Sequence, residues 1–292
     1  MSKKSFLSVA ILIVTTLVFQ TAHAVCETDL ATPFSYGQAR SGHSTETLKL
    51  LVWNVLKFKR DGVLTDLQAL GAVSDLTLMQ EGAYSIDLEK DLLGILPNFQ
   101  QVFYPSFCDD SQTAFGVQIN SKFSVSQAQN WPAPDAEPFS TIHKMTGYAQ
   151  VMWNGEIVHV INTHALNFNA GGPFERQIDD VYEKIKDLKG PVIWAGDFNT
   201  WNFWSDGRLE YLVAATEDLG LKQVEFKEDT RKLKLDHIFY RGFKLKNSAI
   251  VPVSTSDHNA LVVEFEIPKK VQKKIQQKIP STDEVVAGAE DL

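Results

Sequence analysis

The chain has 292 residues, 44% of them apolar, and carries a formal net charge of −8. That apolar fraction supports a real core and excludes a disordered chain, while the acidity argues against holding a polyanion on a broad basic surface. Its two cysteines, Cys26 and Cys108, lack the spacing of a zinc site or a redox motif, and there is no HExxH pair.

The N-terminus opens with Lys3 and Lys4, then an uncharged apolar run from Phe6 to Phe19, then Ala22-His23-Ala24. A basic start, an apolar stretch and small residues at the cleavage positions predict a signal peptide over 1–24. The run is shorter than the roughly 20 residues a membrane-crossing helix needs, and Val25 stands where a lipoprotein signal has a small residue. The expectation is export, to a periplasm or out of the cell, with no stable membrane insertion. The mature chain then carries about −10. Outside the cytoplasm Cys26 and Cys108 can pair; two separate thiols are the equal alternative, and the sequence leaves the choice open.

Thr47 to Val55 is a nearly continuous apolar run, as in a strand covered on both faces. Asp61 to Val73 has helical spacing, Asp75 to Gln80 reads as a buried strand and Ile86 to Leu96 as a helix. Short strands are predicted around Gln101–Tyr104, Thr113–Ile119 and Phe123–Ser126. Tyr148–Trp153 and Ile157–Thr163 flank Asn154-Gly155, a strong hairpin signal. A helix over Phe174–Leu188 precedes a strand over Val192–Ala195, and a helix follows around Arg208–Thr216. Strands near Leu221–Phe226, Leu235–Tyr240, Asn247–Val253 and Ala260–Glu266 complete one domain over 25–268. From Lys269 to Leu292 the chain is polar, with five lysines, and reads as a short helix or disordered tail. Hairpins mixed with strand–helix units imply an α/β or α+β sandwich of two packed sheets.

Polar residues recur at strand ends: Asn54, Gln80-Glu81, Asn162-Thr163-His164, Gly196-Asp197-Phe198-Asn199, Leu235-Asp236-His237 and Ser256-Asp257-His258. Any one of these alone reads as a turn. Six in order point to one rim, where α/β folds place their sites. Glu81, Asp197 and Asp257 are hard oxygen donors, suited with Asn54 to Mg²⁺, Mn²⁺ or Ca²⁺ rather than zinc. Asp236 and His258 are a carboxylate and an imidazole that only the fold can bring together.

The ordered set WN, QE, NTH, GDFN, LDH and SDH resembles the endonuclease/exonuclease/phosphatase superfamily, DNase I-like in its histidine after NT. The resemblance covers about Thr47 to Ile267, and the wording LVWNV, HALNF, GPVIWAGDFNTW, LDHIFYRG and SDHNALVVEF is nearest a bacterial branch without an assigned substrate. It implies an α/β fold, a four-layered sandwich of two mixed β-sheets flanked by helices. It also implies roles. Glu81 resembles the principal metal ligand with Asn54 beside it, and Asp257 a second ligand. Asp197 resembles the carboxylate that orients the attacking water, and Asn199 an amide that holds the phosphate or metal. His258 resembles the general acid/base, Asp236 its orienting partner, and His164 a donor to the phosphate or leaving oxygen. Arg176, on the helix after His164, is a candidate substrate contact against a solvated helix face. Trp201 and Trp204 read as an apolar wall or as packing, and Lys57, Lys59 and Arg60 as a local basic patch or a solvated loop. The expected activity is metal-dependent hydrolysis of phosphodiesters, nucleic acid first, with a phospholipid or small phosphate ester as the alternative and an inactive binding module third. No protein partner is implied.

Overall fold

The computed structural model describes Cys26 and residues 32–167, 172–201 and 207–266. The expected signal peptide, the tail from Lys269 and Trp204 lie outside the described residues. Two sheets dominate the rest. The first runs in the order β1 (Phe34–Gly37), β4 (Gln100–Cys108), β5 (Ala114–Ser121), β3 (Leu76–Tyr84), β2 (Thr47–Asn54), β13 (Ala260–Glu266), β12 (Lys244–Val251). The second runs β10 (Lys222–Gln223), β11 (Asp236–Arg241), β9 (Val192–Asp197), β8 (Glu156–His164), β7 (His143–Trp153), β6 (Val125–Ala136). Each sheet holds one parallel pair among antiparallel neighbours: β2 with β3, and β8 with β9. The chain between these strands passes through α1 (Val63–Ala72) in the first case and α3 (Gly172–Ile185) in the second, because a parallel pair needs a crossover. The four-layered sandwich of mixed sheets and flanking helices is therefore as the motifs implied.

The layers follow from the period-two pattern of the strands. Leu48, Leu50 and Val52 of β2 face the second sheet and meet Val158, Val160 and Ile193 in the core between the sheets. Leu51 and Trp53 point the other way, under Val63 and Leu67 of α1 and Leu92 of α2 (Ile86–Ile95). On the second sheet Ile161, Val192 and Trp194 pack beneath Phe174, Ile178 and Val181 of α3 and Leu212 of α4 (Arg208–Asp218). Strands buried on both faces explain why the sequence reads as continuous apolar runs instead of clean alternation.

The structure departs from the predicted elements in three places. The strand expected at Phe123–Ser126 continues as β6 through Trp131-Pro132-Ala133-Pro134 to Ala136. A proline removes a ladder donor, so it is tolerated where a strand lies at a sheet edge; β6 is such an edge, with its register shifted between Pro132 and Ala136. Its partner β7 accordingly starts at His143, five residues before the predicted start. β1, predicted by no apolar run, pairs only along β4, and the strand near Leu221–Phe226 shrinks to two residues.

Cys26 and Cys108 are bonded, over 82 positions of sequence, so the segment at Cys26 is stapled to the end of β4. Closing a loop of that length restricts the unfolded chain, an effect of ~2–4 kcal/mol. Replacing both cysteines by serine is expected to lower the thermal midpoint by several degrees, and reduction of the parent to produce the same drop. An unchanged midpoint in a thermal scan would show that the staple contributes nothing to the fold.

Candidate active site

The two parallel pairs end at the same rim. In register, Asn54 on β2 lies beside Gln80 on β3, and His164 on β8 beside Asp197 on β9, which in turn faces Asp236 on β11. Beneath the rim a polar tie joins the sheets. Gln80 Nε2 donates to Asn162 Oδ1 at 2.6 Å, and Asn162 Nδ2 donates to the carbonyls of Met79 and Gln118. Gln80 is thus floor, and Glu81 is the residue presented. The register of β3 on β5 slips between Met79 and Gly82, and Glu81 adopts φ +49° there. A bulge with a left-handed residue re-aims a side chain out of the strand, which is how one carboxylate emerges from an otherwise buried strand.

Asp197 is the centre. It is 2% exposed. Its Oδ2 accepts from Asn54 Nδ2 at 2.9 Å, across the seam between the sheets, and its Oδ1 accepts from the Asn199 backbone N–H at 3.0 Å. His164 Nε2 stands 3.6 Å away and His258 Nε2 3.7 Å. Gly196 makes this possible, because a Cβ there would lie 1.9 Å from the Thr163 carbonyl oxygen, at φ +146°. Asn199, in the left-handed region at φ +49°, donates from its side chain to Ala165 O, while Arg208 donates to Leu166 O and Asn199 O. Asn199 pins the loop that carries Asp197.

His258 Nδ1 is 3.0 Å from both oxygens of Asp236. Its loop is strapped from several sides: Ser256 Oγ donates to Asn54 O, Trp53 Nε1 to His258 O, and Arg60 Nη1 to Ser254 O and Ser256 O. Arg60 therefore belongs to this strap, which leaves the basic patch read from Lys57, Lys59 and Arg60 without its third member. Burial opposes a charge on His258, but Asp236, Asp197 and Asp257 outweigh it and push its pKa up to about 10. Burial raises the Asp197 carboxyl to about 6, with Asp236 adding to the rise and His258, Asn54 and Asn199 holding it down. His164 goes the other way. Burial, then Lys144, His258 and Lys57, hold it neutral. Lys144 Nζ lies 3.0 Å from His164 Nε2, and an ammonium can only donate. Nε2 is therefore the acceptor, the ring proton sits on Nδ1, and the approach of His164 to Asp197 is not an ion pair.

Lys144 was not legible in the sequence. It lies on the part of β7 that the predicted strand omitted, and it also meets Glu137 at 3.4 Å. Two expected roles need correction. Arg176 forks onto Asp135, at 2.8 and 2.9 Å, on a side chain 55% exposed, so it is engaged in a surface pair and not aimed at the rim. Among the described residues, the acids and histidines that gather closely enough to hold an ion are Asp197, Asp236 and His258. The set expected from the motifs was Asn54, Glu81 and Asp257. Asp257 meets only Ser256 Oγ, at 3.4 Å, within this region, and acts on His258 through its charge. In the gathered trio, Asp236 is already matched by the His258 cation, and a protonated ring is no ligand. Glu81 has no ion pair among the described residues, and Asn54 Nδ2, 3.5 Å from its Oε1, links it to Asp197. Glu81 and Asp197 are hard oxygen donors that suit a divalent cation, whereas Asn54 turns its amide N–H₂ to both and its Oδ1, the atom that could join them, accepts from the Leu56 N–H.

The pattern that defines the Endonuclease/Exonuclease/phosphatase family matches residues 51–258. The chain belongs to this family. Among its relatives is a UPF0294 protein of Vibrio parahaemolyticus, 31% identical over 85% of this chain and 88% of that one. A UPF0294 protein of Yersinia pestis is 32% identical over 76% and 85%. The fold is shared with a family member from Leptotrichia buccalis at TM-score 0.60 and 17% identity, covering 75% of this chain and all of that one. It is shared also with D. rerio TDP2 complexed with single strand DNA product (0.55, 16%, 76% and 100%) and with sphingomyelinase C from Streptomyces griseocarneus (0.54, 17%, 75% and 99%). Members of this family are in general hydrolases of phosphate esters.

A raised pKa means that the Asp236–His258 pair supplies stability fully below the ordinary histidine value of 6.5 and loses it as pH rises through about 10. In metal-free protein the His258 ring resonances are expected to titrate near pH 10, and Asp236→Asn to pull that titration down toward 6.5. A parent His258 that titrates near 6.5 in the NMR spectrum would refute the pairing.

Proposed function

We propose that this protein is an exported, divalent-metal-dependent phosphodiesterase whose substrate is nucleic acid. The observation that carries the reading is Asp197, an ionisable carboxyl at the bottom of the rim, flanked by a charged His258 and a neutral His164. Titratable neighbours driven in opposite directions are the mark of an acid and a base. Above about pH 6 Asp197 is ionised and takes a proton from the water that attacks phosphorus. The P–O bond to the leaving group breaks, and the leaving oxygen takes the proton from His258 Nε2. Asp236 keeps that ring oriented and charged. The Lys144 ammonium lies beside the developing negative charge. Glu81 and Asn54 would hold the ion, which would offset the charge of the phosphate; Mg²⁺ fits the oxygen donors, as do Mn²⁺ and Ca²⁺.

Similarity in fold to a protein crystallised with a single-strand DNA product supports nucleic acid as the substrate. Ala22-His23-Ala24 and the Cys26–Cys108 bond support export, since such bonds persist in oxidising compartments. The net charge of −8 favours a second reading, a phospholipid or small phosphate ester on the same residues.

Purified mature chain with Mg²⁺ is expected to nick plasmid DNA. EDTA should silence it and Mg²⁺ or Mn²⁺ restore it, and Glu81→Ala, Asp197→Ala and His258→Ala should each lose about 100-fold or more while still folding. Full activity in all three variants would sink the site. Intact plasmid beside cleavage of a phospholipid or nitrophenyl phosphate would move the assignment to the second reading, and no cleavage of any ester would leave a binding module.

A further inference from the structure

Next to the rim, and sharing Glu81, Lys144 and His164 with it, opens a cavity of about 160 Å³ whose remaining wall the hydrolytic machinery does not use. Its apolar wall includes Phe107, Phe115, Val117, Ile142 and Met145. Phe107 and Phe115 are cross-strand partners on β4 and β5, with ring centroids 5.2 Å apart and planes inclined by 28°. Both are half-buried, and neither belongs to any of the apolar clusters that hold the layers together. An aromatic pair that packs no core and faces a cavity is available to a ligand. Phe115 lies opposite Ala83, two positions on from Glu81, so the platform adjoins the candidate metal residue. Cys108, next to Phe107, carries the bond to Cys26 and holds the hairpin in place.

The cavity carries charges of both signs, Lys57 and Lys144 with Glu81 and Glu137, and Lys144 is paired with Glu137 at 3.4 Å. Lys57 Nζ stands 5.8 and 5.6 Å from the centroids of the two rings, and Lys144 lines the other side. Lys57 is held there by an unusual backbone. Leu56, Lys57 and Phe58 follow one another in the left-handed region, at φ +48°, +57° and +55°. Each non-glycine residue in that region costs roughly 1 kcal/mol, so three in succession persist only because the surroundings impose them. The Leu56 N–H donates to Asn54 Oδ1, and Phe58 packs among the residues under α1 and α2. The strained turn places one ammonium over an aromatic platform one step from the reacting centre.

We propose that this cavity takes one unpaired nucleobase next to the scissile phosphate, stacked on Phe107 and Phe115, with Lys57 reaching the adjoining phosphate. The inference rests on nucleic acid being the substrate. A cavity of about 150 Å³ holds a benzene ring, so this one admits a single ring system and not a base pair. Its wall is largely apolar, and polar groups at its edge are already engaged: Ser106 donates to His143 O, Glu137 accepts from the Asn167 N–H, and Lys144 meets Glu137 and His164, so stacking and not hydrogen bonding recognises the base, and the four bases are weakly distinguished. The substrate class is thus unpaired nucleic acid: single strands, frayed ends and short oligonucleotides.

The test compares the parent with Phe107→Ala, Phe115→Ala and Phe115→Trp on three substrates: a single-stranded oligonucleotide, the same strand in a duplex, and a strand with an abasic residue beside the cleaved phosphate. The parent should cut the single strand at least tenfold faster than the duplex. The ratio of kcat/KM on the intact strand to that on the abasic strand should fall about tenfold in each alanine variant, the size of one base–aromatic stack, and be kept by Phe115→Trp. A packing role for the rings would move both rates together and leave the ratio in place, and that result overturns the proposal, as does equal cleavage of duplex and single strand. In either of those cases the nuclease reading stands and only the pocket assignment fails. A parent that cuts no nucleic acid but hydrolyses another phosphate ester overturns both.

Discussion

A carboxylate excluded from water is expensive unless donors surround it, and the arrangement of the rim follows from keeping Asp197 where it is. Its two oxygens are met by groups from both sheets, Asn54 from the first and the Asn199 backbone from the second. The seam between two β-sheets is otherwise filled with aliphatic and aromatic side chains, so this end of the sandwich replaces apolar packing with amide bridges. Gln80 and Asn162 form the transition between the two regimes, one layer below.

Because one charge is buried at the seam, its supports come from far along the chain. The loop after β9 is closed by Asn199 and Arg208 onto Ala165 and Leu166. The loop before β13 is closed by Ser256, Trp53 and Arg60. Backbone conformations that are costly elsewhere gather here: Glu81, Asn199 and the turn at Leu56, Lys57 and Phe58 all have positive φ without being glycine. Strain of this kind marks positions where side-chain placement outranks local preference, and two of the five residues concerned, Glu81 and Lys57, line the adjoining cavity.

The electrostatics are local. A net charge of −8 argues against a broad basic surface, yet Lys57 and Lys144, the latter paired with Glu137, line one cavity, and His258 is kept charged by the acids around it. Attraction for a phosphate is therefore built over a few ångströms and not over a face of the molecule, which favours a small or flexible anion over a long rigid one.

The sequence by itself determined the layers and pointed to most of the candidate site. Apolar runs of period two and amphipathic helices specify sheets covered on both sides, and the short polar clusters at strand ends pointed to Asn54, Glu81, His164, Asp197, Asn199, Asp236 and His258 as candidates, because a strand end is a local feature that a local pattern can announce. Tertiary structure alone decided the rest. Lys144 and the Phe107–Phe115 pair carry no local signal; they acquire meaning only when β4, β5 and β7 bring their faces to one cavity. Arg60 and Arg176 looked like free cations until the fold supplied the carbonyls of the Ser256 loop and the carboxylate of Asp135. The protonation of His164 and His258 was likewise beyond the sequence, since both are histidines at strand-end motifs. One is held neutral by burial and an adjacent ammonium, the other charged by three carboxylates, and all of those neighbours except Asp257 lie 20 to more than 60 positions away in sequence.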